Sequence, residues 1–143
     1  MNTVADPVTE IRLAAGADLA AVRAFDEFKG SRETEIRNGT CWLAWRDGVV
    51  VGYASYEPSG LLGQPLLTFL CVRKDCRRQG IALRLVEAVV AAARGRVLVS
   101  STEDWCTASQ GIFAKLGWRP IGRIEGVNKD GSAELFYSTP LAG

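Results

Sequence analysis

Between Cys71 and Ala82 the chain reads CVRKDCRRQGIA. Arg73, Lys74, Arg77 and Arg78 crowd together there, Arg84 follows, and Asp75 is the one acid among them. Gly80 and Ala82 then open an apolar helical pattern whose first turn has almost no side chain. A helix start leaves four backbone N–H groups without intrahelical acceptors, and the aligned peptide dipoles add partial positive charge. Phosphate suits such a place. Gln79 to Ala82 would supply the amides, and Gly80 leaves room for the anion. Arg77 and Arg78 offer charge-assisted hydrogen bonds, each worth about 1.5–3 kcal/mol. The pattern is neither the Gly-Lys-Ser/Thr phosphate loop nor the dinucleotide G-x-G-x-x-G. The plainer reading is a solvated basic loop that ends a strand. The order favours an anion site: buried strand, basic loop, small residues, amphipathic helix.

Other chemistry is bounded by what is missing. The sequence has no histidine, so no Ser-His, Cys-His or histidine-base mechanism is available. Its four cysteines, Cys41, Cys71, Cys76 and Cys106, form no C-x-x-C pair. No metal site is expected, and the default is four free thiols, mostly packed in the core. Glu103 and Asp104 follow a predicted strand and serve equally well as catalytic acids or as helix-start acids. Cys106 is a possible proton donor, with a buried small hydrophobe as the simpler role. Tyr137 and Glu134 share the last strand, where sheet packing and an exposed acid are the plain alternatives. Glu57 ends a predicted hairpin and has the same ambiguity. Of the four tryptophans, Trp105 stands beside two acids and is the candidate for an aromatic acceptor wall.

These residues need a frame. A chain of 143 residues suits one domain with a proper core, taken here as residues 1–143 with the core at about 9–139. Hydrophobic residues make up 48% and charged residues 23%, the composition of a soluble globular protein. The net charge of +1 gives no support to general nucleic-acid binding. The opening MNTVADPVTE lacks the basic and apolar segments of a secretory signal, and the most apolar helix, Ile81 to Ala93, is too short to span a bilayer. A cytoplasmic protein without a membrane partner is expected.

Ile11 to Ala15 reads as a strand, and GADLAAVRAFDEF as a helix with Asp18 as its cap or first-turn acid. The front half of SRETEIRNGT suits a short helix. CWLAWRDGVVVGYASYE is a hairpin around Asp47-Gly48. PSGLLGQP breaks the pattern, and Leu66 to Val72 reads as a strand buried on both faces. A helix runs from about Gly80 to Arg94, its stripe being Ala82, Leu85, Val86, Val89, Val90 and Ala93. RVLVSS is a strand, TASQGIFAKLG a short helix, and WRPIGRIEG and SAELFYST two strands joined by VNKDG. The central strand-helix-strand unit implies a parallel pair. The fold class is α/β: a mixed, mostly antiparallel central sheet with flanking helices.

Arg77-Arg78-Gln79-Gly80-Ile81-Ala82 after Val72 resembles the pyrophosphate motif of the GNAT N-acetyltransferase superfamily, Gln/Arg-x-x-Gly-x-Gly/Ala. Lys115-Leu116-Gly117-Trp118 looks like that family's x-x-Leu-Gly-Phe ending. The resemblance implies acetyl-CoA as cofactor, in a cleft beside a splayed parallel pair. Its pyrophosphate would sit on Arg77 to Ala82, and its pantetheine arm along Leu70, Cys71 and Val72, whose amides could hold the oxyanion. An acceptor amine would attack directly, after losing a proton to a base or a water chain. The family's usual tyrosine acid is matched by Phe113, which faces the cofactor but has no proton to give, and its usual asparagine by Cys106. Glu103, Cys106 and Tyr137 are the substitute catalytic candidates. Glu57, Trp105 and Glu134 are candidates for the acceptor, expected to be a small-molecule amine. A CoA-binding module without turnover is the alternative. Exposed strand edges make a homodimer a reasonable expectation.

Overall fold

The computed structural model describes residues 8–142. The reading of the N-terminus as no export signal rests mostly on residues 1–7, which lie outside the described residues. The elements are β1 Thr9–Leu13, a 3₁₀ turn Gly16–Asp18, α1 Leu19–Arg23, α2 Glu33–Arg37, β2 Cys41–Arg46, β3 Val49–Leu61 and β4 Gln64–Val72. A second 3₁₀ turn, Lys74–Cys76, leads to α3 Ile81–Ala92, then β5 Val97–Glu103, α4 Thr107–Lys115, β6 Arg119–Ile124 and β7 Glu134–Pro140. The seven strands follow the order β1-β2-β3-β4-β5-β7-β6. The β4–β5 pair is parallel, with Leu66 opposite Val99 and Leu67 opposite Ser100, and β1–β2, β2–β3, β5–β7 and β6–β7 are antiparallel. The mixed α/β class is therefore as expected.

The chain forms two compact units, one of residues 1–55 and 69–88, the other of 56–68 and 89–143. In the first, Ala14, Val22, Ile36, Cys41, Leu43, Val50, Tyr53 and Cys71 make a core, flanked by Leu19, Phe25, Trp45 and Phe69. Asp18 is buried, accepts the Ala15 N–H at 2.8 Å and pairs with Arg12 at 3.4 Å, so its side chain fixes the entry to α1. In the second unit Phe113 lies between Trp118 and Tyr137, with ring centroids 5.1 Å and 4.7 Å away.

Asp47 and Gly48 both have positive φ, 53° and 76°, as the expected primed turn requires. PSGLLGQP is not a break. β3 runs through Pro58 to Leu61, and Leu62-Gly63, at φ 50° and 80°, makes a second two-residue hairpin turn into β4. Pro58 and Gly60 read as breakers because an extended ribbon has no local signature beyond its turn. β4 is not buried on both faces either: Leu66, Thr68, Phe69 and Leu70 keep part of their surface exposed. α1 is shorter than the expected helix, because its hydrogen bonding ends near Asp26 and the chain then runs irregularly to α2. The buried stripe of α3 includes Ile81, Leu85, Val86, Val89 and Ala93, while Ala82 and Val90 flank it half-buried.

Candidate active site

β4 ends at Val72, and the basic loop begins there. The Arg73 N–H bonds the Val51 carbonyl at 2.8 Å, so the loop leaves the strand anchored to β3. Arg73 pairs with Asp75 at 3.0 Å within the 3₁₀ turn. Arg77 is exposed but engaged: its Nε donates to the Val72 carbonyl at 2.9 Å, and its guanidinium forms a short ion pair with Glu27. Arg78 stands at φ 63°, a left-handed conformation unusual for a residue with a side chain. Its side chain is exposed and, like that of Lys74, makes no hydrogen bond or ion pair among the described residues. Gln79 accepts a hydrogen bond from Arg46. Gly80 has φ 80°, and nothing lies within 4 Å of where a Cβ would stand.

Helix α3 then starts at Ile81, held down by the buried side chains of Ile81, Leu85 and Val86. Gly52 on β3 permits this seat. A Cβ there would stand 3.1 Å from the Cys71 carbonyl and 3.2 Å from Leu85. The helix mouth is therefore bare and rigidly mounted, with open space at Gly80 and the uncommitted cations Lys74 and Arg78 beside it. These residues fit a diphosphate: amides at a helix start, no side chain in the way, and surplus positive charge. Leu70, Cys71 and Val72 form the end of β4 in the same unit. Cys71 is buried, and its thiol lies 3.7 Å from the Phe25 carbonyl.

The second unit holds the other candidates. Glu103 is the last residue of β5 and pairs in register with Glu134 on β7. The two acids thus share one sheet face on adjacent strands, because residues directly opposite point the same way. Glu134 is committed at both oxygens, accepting from Ser101 Oγ at 2.7 Å and from Asn128 Nδ2 at 3.0 Å. The Glu103 carboxylate makes only a 3.5 Å contact with the Thr102 hydroxyl among the described residues. Asp104 pairs with Arg123 at 3.3 Å. Trp105 is 60% exposed, and its indole N–H bonds Asp130 at 3.0 Å. Glu57 is exposed, and its side chain lies beside Gly60 on the β3–β4 ribbon.

Cys106 caps α4 and is half-exposed, with its thiol 3.4 Å from the Ser109 hydroxyl. Burial pushes this thiol up, but hydrogen bonding with the Ser109 side chain and backbone and with Thr102 outweighs it, leaving a pKa below the ordinary thiol value. Cys76, also half-exposed, is shifted the other way by burial and by Asp75. Cys41 and Cys71 are buried, so half of the thiols, rather than most, belong to the core. Phe113 is buried and nearly parallel to Tyr137, at 21°. Sequence reasoning missed Arg46, Thr9 and Glu27, all of which hold the basic loop. It also missed Asp26, which accepts the buried Tyr53 hydroxyl at 2.7 Å. No spacing rule connects residues this far apart in the chain.

Residues 9–118 match the family model described as the acetyltransferase (GNAT) family. No curated protein sequence matches the chain at a significant level. Among solved structures, a GNAT-family acetyltransferase from Bacillus cereus superposes with a TM-score of 0.86 at 21% identity, covering 95% of this chain and 99% of that one. The ribosomal-protein-alanine N-acetyltransferase of Brucella melitensis gives 0.77 at 28% identity, covering 92% and 99%. The yncA protein of Salmonella typhimurium, solved with its cofactor acetyl-CoA, gives 0.78 at 20% identity and covers 95% of each chain.

Proposed function

From the premise that the chain belongs to the GNAT acetyltransferase family, we propose that it moves an acetyl group from acetyl-CoA to the primary amine of a small molecule. The observation that carries this reading is the bare, mounted start of α3 with Gly80 open and Arg78 and Lys74 uncommitted. Bound acetyl-CoA would supply the acyl group as a thioester, an activated carbonyl. The amides around Gly80 and the Arg78 side chain would hold its pyrophosphate. The Leu70–Val72 end of β4 would hold the pantetheine arm by its backbone amides and carbonyls. The bound yncA structure supports acetyl-CoA as the cofactor.

The acceptor must shed a proton, since a lysine-type amine with a pKa near 10.4 is almost wholly protonated at neutral pH. Glu103 takes that proton, directly or through a water. The amine nitrogen bonds to the carbonyl carbon, the C–S bond breaks, and the departing sulfur is protonated. Cys106 is the donor for that last step, its lowered pKa making it a better acid than an ordinary thiol. Tyr137 is the second candidate for the same step. The in-register pair Glu103 and Glu134, with Trp105 nearby in sequence, favours a cationic acceptor. Likeness to the Brucella enzyme supports a second reading, in which the amine is a protein N-terminus.

A panel of polyamines, amino acids, aminoglycosides and N-terminal peptides, assayed for release of free CoA thiol, tests the proposal. Turnover with a small amine supports it, and turnover with peptides alone transfers the activity to the second reading. CoA binding without turnover of any amine would leave a binding module and overturn the proposal.

A further inference from the structure

The phosphate loop is an unusual piece of backbone. Arg78 and Gly80, two residues apart, both have positive φ, and only one of them is a glycine. A left-handed residue with a side chain persists where its surroundings over-determine it. Three side chains grip the loop and the helix it feeds. Arg77 ties its start to the Val72 carbonyl and to Glu27. Arg46, the last residue of β2, donates Nη1 to the Gln79 side-chain carbonyl, between the two left-handed residues. The same guanidinium donates Nε and Nη2 to the Thr9 hydroxyl at 3.2 and 3.1 Å. Arg84, in the first turn of α3, donates to the Thr9 backbone carbonyl. Thr9 stands opposite Arg46 in the β1–β2 register, so sheet pairing fixes this hub independently of the loop.

Resting on the acetyl-CoA reading above, we infer that Arg46 is a positioning residue for the cofactor's phosphates: it acts through Gln79 to hold the Arg78–Gly80 backbone in its anion-binding shape. Each of the three guanidinium nitrogens of Arg46 donates within the protein, to Thr9 or to Gln79, so its part is to shape the loop rather than to touch phosphate. The guanidinium fork suits this task, because one face reads Thr9 while the remaining nitrogen reaches Gln79. The ammonium of a lysine cannot keep both.

A double-mutant cycle on acetyl-CoA affinity, read by titration calorimetry, separates the possibilities. Arg46→Met and Gln79→Met are each expected to weaken binding about fivefold to tenfold, and the double variant no more than either alone. Arg46→Lys should recover part of the loss. Thermal melting of each variant checks the fold, and Gln79, on an exposed loop, keeps the cycle readable if Arg46→Met is unstable. Additive losses would mean that Arg46 acts on the ligand directly, and an unchanged affinity in Arg46→Met would mean that it does nothing for the site. Either result overturns the inference while the acetyl-CoA reading stands. Failure of the wild-type protein to bind acetyl-CoA would remove both.

Discussion

Two arginines adjacent in sequence stand in different surroundings. Arg77 and Arg78 look interchangeable as phosphate ligands, yet Arg77 turns back to Val72 and Glu27 while Arg78 has no partner among the described residues. The partner that captures Arg77 lies 50 residues away in the chain, and no local pattern announces such a pair. The basic loop before a helix start was legible; the different contacts of its two arginines were not. The same holds for the thiols. Cys76 and Cys106 are equally half-exposed, but their neighbours push their pKa values in opposite directions. A lowered pKa means more thiolate at a given pH, and thiolate is the reactive species. Iodoacetamide at pH 7.5 should therefore alkylate Cys106 well before Cys76, with the Cys106 rate levelling off at lower pH. Mass mapping of partially labelled protein reads this directly, and equal rates would contradict the assignment. Glu103→Gln should lower turnover on the order of a hundredfold while leaving acetyl-CoA affinity unchanged. A rate equal to wild type in steady-state assay would return Glu103 to the role of a surface acid.

At the scale of elements, turns were legible only where their chemistry is conventional. Asp47-Gly48 announces its hairpin because both residues tolerate positive φ. Leu62-Gly63 makes the same turn with a leucine in the strained place, 94% exposed, and so escapes any propensity rule. Leu62→Asn should relieve that strain and stabilise the fold by about 1 kcal/mol, a rise of about 3 °C in Tm on scanning calorimetry. A fall in Tm would mean that the leucine has a partner worth more than its backbone cost. The seat of α3 gives the opposite case. Gly52→Ala would bring a methyl against the Cys71 carbonyl and Leu85, and should destabilise by about 1–3 kcal/mol in denaturant titration. Strand β6, at one end of the sheet, is blunted by Pro120, by a register shift beside it and by Arg119 and Arg123. These features discourage strand addition there. Sequence reading placed β6 correctly but could not tell that it is an edge, because strand order is set by long-range pairing.

For the whole molecule, net charge and local charge tell different stories. The chain carries +1 overall, yet Arg46, Lys74, Arg78 and Arg84 surround the loop without an ion-pair partner among the described residues. Such a local surplus is expected to favour a compact polyanion over a long nucleic acid. Acetyl-CoA affinity should fall several-fold between 50 and 500 mM NaCl, while duplex DNA shows no binding at 150 mM in an anisotropy titration. No helix among the described residues is long and apolar enough to cross a membrane. The family was legible because its two signatures, the basic loop before a small-residue helix mouth and the later Leu116-Gly117-Trp118 ending, are short and contiguous. The acceptor was not, because the acids proposed to face it, Glu103 and Glu134, come from separate strands whose pairing only the fold reveals. The mouth of α3 at Gly80 is proposed to hold the cofactor's pyrophosphate. Calorimetric titration of acetyl-CoA into the wild-type protein and into Gly80→Asp tests it most directly. The account predicts one micromolar-range site in the wild type and none in the variant, with the two melting within a few degrees of each other. Equal affinity in both, or no binding to the wild type, would contradict it.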